Sequence, residues 1–259
     1  LALYANQIFS GADTRSSVDL LIGAYAFTLQ IYGDFSGYSD IARGSSRLLG
    51  VELPENFAQP YLSRNVTEFW RTWHISLSSW LRDYLYVSLG GNRGTRARTY
   101  RNLMLTMLIG GLWHGAAWTF VIWGGLHGLF LVVGRARGVR APRCPGPVSG
   151  GDAIRVFATF HLVCLAWVFF RAETLGQALS YLAGIVTLRS GGVDQSALLL
   201  VLVAGLAVLA VDAVQRNRSE ETAPMRWPAP ARGALYGSLT AAIVLFSGGQ
   251  PVPFIYFQF

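Results

Sequence analysis

The sequence predicts an all-α, polytopic helical membrane protein, and three observations carry that prediction. The 259 residues are 52% hydrophobic and only 14% charged, with a mean hydropathy of +0.37, whereas a soluble domain carries about 25% charged residues. Apolar runs of membrane length alternate with polar loops. The basic residues gather in those loops: all 21 are arginine and none is lysine, an arrangement that sets topology and contacts lipid headgroups. The net charge of +7 is therefore a membrane signal and excludes a nucleic-acid partner. Residues 1–259 show no internal repeat and read as one helical membrane domain. The chain starts at Leu1 inside an interfacial-looking stretch, so we read it as the C-terminal part of a longer protein.

The first apolar segment, Val18 to Tyr32, leads into a Ser/Gly-rich turn at Gly33–Asp40, with Arg43 and Arg47 behind it. Leu53–Pro60 contains two prolines that prevent a continuous helix. From Asn65 to Val87 the spacing predicts one helix. Phe69, Trp73, Leu77, Trp80 and Tyr84 mark one face, and Arg71, His74, Ser78 and Arg82 mark another. It is too polar to span, and its Trp and Tyr suit the headgroup level or a water-filled cavity.

The apolar run Leu103–Val133 is interrupted only by Thr106, His114, Thr119 and His127. Arg93, Arg96, Arg98 and Arg101 precede it, Arg135, Arg137, Arg140 and Arg143 follow it, and neither flank holds an acid. Both flanks are therefore expected in the cytoplasm, which makes residues 102–134 a re-entrant or tilted hairpin. Arms of about 16 residues reach roughly 24 Å against roughly 30 Å of hydrocarbon. The bend, near Gly110, Gly111 and Gly115, would then lie inside the bilayer with His114 beside it.

Residues 135–151 form a Pro/Gly/Arg linker on the cytoplasmic side. Ile154–Phe170 is a span containing His161, Leu175–Leu188 is a shorter amphipathic helix, and Ala197–Val214 is the clearest span. A second polar loop, 215–232, precedes a span over Ala234–Phe246. The aromatic end, Pro251–Phe259, is expected to pack back onto the bundle.

Ionisable groups at membrane depth usually face an internal site, which singles out His114. The bland alternative is a buried histidine that satisfies a carbonyl at a helix break. The flanking glycines permit close approach of a substrate, and a neutral imidazole with a pKa of about 6.5 suits removal of a hydroxyl proton. His74 either belongs to a solvated polar face or is a second active-site group. Arg82, Tyr84 and Tyr86 could line an entrance. His127 and His161 read as packing residues with a satisfied hydrogen bond, and Asp34 and Asp40 as capping or arginine-pairing groups. Cys144 and Cys164 make neither a disulfide framework nor a metal site. Elbow, dinucleotide, Walker and zinc-ligand motifs are missing, which argues against a serine hydrolase, a dinucleotide enzyme or an ATPase and leaves no metal or permanently bound cofactor to expect.

Five stretches carry a family resemblance: Asp34–Ala42, Pro54–Tyr61, Glu68-Phe-Trp-Arg-Thr-Trp-His-Ile-Ser-Leu-Ser78, Trp80–Tyr86 and Gly111-Leu-Trp-His-Gly115. They resemble the membrane-bound O-acyltransferase family, in its alginate O-acetyltransferase-like branch. Leu89–Arg93 and Phe254–Phe259 match as well, and residues 196–250 match only in hydrophobicity. The resemblance implies that His114 is the catalytic histidine and His74 the second family histidine. It also implies that N-terminal membrane helices are missing here.

The resulting expectation is an O-acetyltransferase of the bacterial inner membrane. It would pass acetyl from a cytoplasmic thioester, acetyl-CoA, to hydroxyls of an exported polysaccharide, directly or through a periplasmic acetyltransferase partner. Trp113, Arg71, Ser78, Arg82 and Tyr84 would bind substrate beside His114 and His74. The competing expectations are D-alanyl transfer to teichoic acid and a non-enzymatic scaffold or transporter for polysaccharide export.

Overall fold

The computed structural model describes residues 1–139, 146–218 and 223–246, and the regular elements among them are all helical. An isolated antiparallel bridge between Phe57 and Trp73 is the one strand-like pairing among them. The helices are α1 (Ala2–Ser10), α2 (Ser17–Leu48), α3 (Val66–Thr72), α4 (Ile75–Trp80), α5 (Arg96–His114), α6 (Trp118–Ala136), α7 (Ala153–Arg171), α8 (Leu175–Val186), α9 (Gln195–Arg218) and α10 (Ala229–Phe246). Three stretches are long and apolar enough to cross a bilayer: Trp118–Ala136, Gly150–Arg171 and Gln195–Arg216, with mean hydropathies of 1.4, 1.9 and 2.7. The expected spans in α7 and α9 are thus present. The terminal segment Pro251–Phe259, together with Arg140, Arg143 and Cys144, lies outside the described residues.

Three expectations are corrected. The turn expected at Gly33–Asp40 is helical, because α2 runs unbroken for 32 residues, or roughly 48 Å. No proline interrupts Ser17–Leu48, and each glycine costs only about 1 kcal/mol. Burial of the N-terminal part, from Leu20 to Phe35, holds the helix in place.

The helix expected over Asn65–Val87 is instead broken after Thr72. The bridge takes Trp73 into extended geometry, and the chain resumes as α4 and then a π-helical segment, Leu81–Tyr86. Finally, each arm of the hairpin has 19 residues, or roughly 28 Å. The premise that short arms force the bend deep into the bilayer therefore falls. The arginine-bearing start of α5 is helical, and this makes up the length.

The bend is Gly115–Ala117, while Gly110 and Gly111 lie within α5. A Cβ on Gly111 would sit 2.2 Å from the Phe120 carbonyl oxygen, and one on Gly124 would sit 2.2 Å from that of Met107. Only glycine admits this antiparallel crossing, the small-residue packing of membrane helix pairs. Arg96–Arg101 and Arg135 come to the same end of the hairpin, as both flanks require.

The core is aromatic. Trp73, Trp123, Trp167 and Phe170 are buried where α3, α6 and α7 meet, and Trp123 stacks on Trp167 with centroids 5.6 Å apart. At one edge Glu68, 1% exposed, is gripped by Arg64 at 3.0 Å and by the buried Arg216 of α9. Burial alone would raise the Glu68 pKa, but hydrogen bonds from Arg64 and the charges of Arg216 and Arg64 carry it below the usual value.

Candidate active site

His114 is the last residue of α5, where a helix runs out of internal partners. Four aromatic rings surround its imidazole: Trp113 at 4.9 Å, Phe170 at 5.1 Å, Trp123 at 5.2 Å and Phe120 at 6.4 Å between centroids. Gly115 makes room for this cage, since a Cβ there would lie 2.5 Å from the Phe120 ring. The result is a half-buried imidazole on a rigid mount, with Trp113 beside it 56% exposed.

His74 reaches the same place by a different route. It sits at the break between α3 and α4 in the left-handed region, φ 44° and ψ 56°, a conformation that side chains other than glycine rarely adopt without a compensating frame. Asn56 supplies the frame. Its carbonyl accepts from the Ile75 N–H at 3.0 Å, and its side-chain oxygen accepts from the Ser76 N–H at 3.1 Å and hydroxyl at 2.7 Å. The imidazole lies against Phe35 at 4.7 Å and Trp113 at 6.3 Å. Its Nδ1 is 3.4 Å from the Ser76 hydroxyl. Burial lowers its pKa to about 4.

The two histidines thus converge on Trp113, but the other expected site residues do not. Arg71, Ser78 and Arg82 line a separate cavity of about 530 Å³, between the α3–α4 region and the α5–α6 hairpin, that includes neither histidine. The expected shared face of His74 with these three is therefore wrong, because the break at Trp73–His74 turns the imidazole away. Tyr84 is 69% exposed and stacks near Trp80; Tyr86 lines the cavity instead. Trp70, Thr67 and Thr106 complete its polar wall and were not singled out by the sequence. Among the described residues no three His, Cys, Asp or Glu side chains gather as a metal site.

His161 bonds through both nitrogens, to the Tyr25 hydroxyl and the Phe157 carbonyl, each at 2.8 Å. His127 is fully buried and accepts from Trp70 Nε1 at 3.2 Å, but its Nε2 has no hydrogen-bond partner among the described residues. The satisfied packing role expected of both is complete only for His161. Asp40 pairs with Arg43 at 3.5 Å, while Asp34 accepts from Gln30 within α2.

His114 and His74 both lie against Trp113 at the end of a glycine-packed hairpin, and comparison with known proteins gives the class. Residues 14–170 match the MBOAT, membrane-bound O-acyltransferase family, and the chain belongs to that family. It is 55% identical over 179 residues to the "Probable alginate O-acetylase AlgI" of Azotobacter vinelandii, covering 69% of this chain and 34% of that protein. Identity to the peptidoglycan O-acetyltransferase of Helicobacter pylori is 44%, covering 72% and 35% respectively. Identity to the teichoic acid D-alanyltransferase of Streptococcus thermophilus is 32%, covering 56% and 40%. The chain spans about a third of the length of the first two relatives.

Proposed function

We propose that the whole protein is a multi-pass O-acetyltransferase of the bacterial inner membrane that modifies an exported, alginate-like polysaccharide. Family membership and the convergence of His114 and His74 on Trp113, within 6.3 Å, support this reading most directly. His114 takes the proton of the acceptor hydroxyl as that oxygen attacks the carbonyl carbon of an acetyl thioester. The C–S bond then breaks, and the thiolate leaves with the electron pair and is reprotonated. His74 orients the acceptor or the acyl carbonyl.

Acetyl-CoA is the proposed donor. The cavity holding Arg71 and Arg82 offers its phosphates a basic wall, in which Arg82 is already held through two N–H groups by the Asp83 carboxylate. The acceptor is the polysaccharide itself or a periplasmic partner that carries the acetyl onward. The higher identity to the two O-acetylating relatives favours acetyl over D-alanyl transfer.

The test is His114→Ala in the full-length protein, with acetyl content and polysaccharide export measured together. Acetylation should fall at least about a hundredfold while export continues. Loss of export with acetylation of the residual polymer unchanged would favour a scaffold.

A further inference from the structure

A second cavity of about 530 Å³ lies between the C-terminal half of α2 and α9, and neither His74 nor His114 lines it. We propose that it binds a membrane phospholipid headgroup carrying a hydrogen-bond donor, of the phosphoethanolamine type. The first observation is Asp212, only 4% exposed, in the cavity wall. Its Oδ1 accepts from the Tyr32 hydroxyl at 3.0 Å, and its Oδ2 has no hydrogen-bond partner among the described residues. A buried carboxylate oxygen without a donor is costly, so an occupant that brings an N–H or O–H is favoured here.

The second observation is the charge inventory. Asp40, Glu55 and Asp212 face the same space as Arg43 and Arg47. Three carboxylates against two guanidiniums, with Asp40 and Arg43 already paired at 3.5 Å, disfavour a simple anion and suit a ligand bearing both signs. Arg47 in the wall can meet the phosphate while the ammonium approaches Oδ2 of Asp212.

The third observation is location. Val208 and Val211 in the wall belong to the span Gln195–Arg216, and Val211 and Leu200, three turns apart on the same side of that helix, are 56% and 46% exposed. The acyl chains of a lipid would continue along that face.

A choline headgroup has the same charges but no N–H, which makes the test selective. The full-length protein is placed in nanodiscs of mixed phosphatidylethanolamine and phosphatidylcholine, and retained lipid is read by native mass spectrometry. Wild type should retain phosphatidylethanolamine over phosphatidylcholine by about tenfold, the scale of one charge-assisted hydrogen bond. Asp212→Asn can still accept from Tyr32 but presents an amide donor to the cavity, so it should erase the preference, with thermal unfolding checking its fold. Equal retention of the two lipids by wild type would overturn the proposal, and this comparison needs no variant. A preference that survives in folded Asp212→Asn would overturn it too. Displacement of the lipid by equimolar soluble glycerophosphoethanolamine would overturn the lipid source.

Discussion

His114 and His74 meet at one tryptophan, yet the chain builds their mounts in opposite ways. His114 ends a regular helix whose position is fixed by glycine: Gly111 and Gly124 let two backbones touch, and Gly115 lets Phe120 close on the imidazole. His74 sits at an irregular break, in a strained backbone conformation held by a loop that starts 18 residues earlier, at Asn56. The first mount is made by local sequence and the second by a long-range clamp. Damage to the first should be all-or-none, and damage to the second graded.

The largest expected effect follows from the hairpin. Gly111→Val places a branched side chain where a single Cβ already lies 2.2 Å from a carbonyl oxygen. The arms cannot then cross, and folded protein in the membrane should be lost, as measured by detergent-extracted yield and gel filtration. Normal yield and activity would mean that the crossing is not required.

Removing a partner of the buried Glu68 cluster comes next. Glu68→Ala leaves Arg216 buried and uncompensated, a loss of about 3–5 kcal/mol, to be read as a lower unfolding temperature. The wild-type cluster has a pH signature. The Glu68 pKa is lowered in the folded state, so its contribution is present above the unfolded carboxylate pKa and is lost as pH falls through the folded value. Glu68→Gln should flatten that acid limb.

Asn56→Ala is expected to act on His74 alone. Without the two side-chain bonds to Ser76, the break relaxes, and acetyl transfer should fall by roughly ten- to a hundredfold at nearly unchanged protein abundance. A variant as inactive as one lacking His114 would make the two mounts equivalent.

The smallest effect concerns protonation. With its pKa near 4, His74 is neutral at any pH above about 5. The rate profile between about pH 5 and 8 should therefore contain no inflection that His74→Gln removes; such an inflection would place a charged His74 in the reaction.

The same contrast explains what was legible in the sequence. Arginine flanks around one apolar run are a local, chemical signal, and they point to the hairpin; the glycines beside His114 are equally local and mark it as a candidate. The break at Trp73–His74 carries no proline or glycine, and it exists because Phe57 and Asn56 pair with it across the fold. Periodicity alone therefore ran a helix through it and put His74 with Arg71. In α2 the opposite error arose: Gly33 and Gly37 look like a turn, but no proline stops the helix and tertiary burial sustains it. Glu68 and Arg216 are 148 residues apart, and nothing local marks either as the other's partner. Along the sequence Asp212 is only a charge near the end of an apolar run, since its cavity is made jointly with α2.

The central claim is that His114 removes the proton, and His114→Asn in the full-length protein tests it most directly. Asparagine keeps a similar volume and a hydrogen bond but cannot take up the proton. Single-turnover transfer from bound acetyl donor should slow by at least about a hundredfold while donor affinity stays unchanged. More than about a tenth of the wild-type rate would contradict the claim. It would leave His114 a positioning residue, with the base to be sought first at His74.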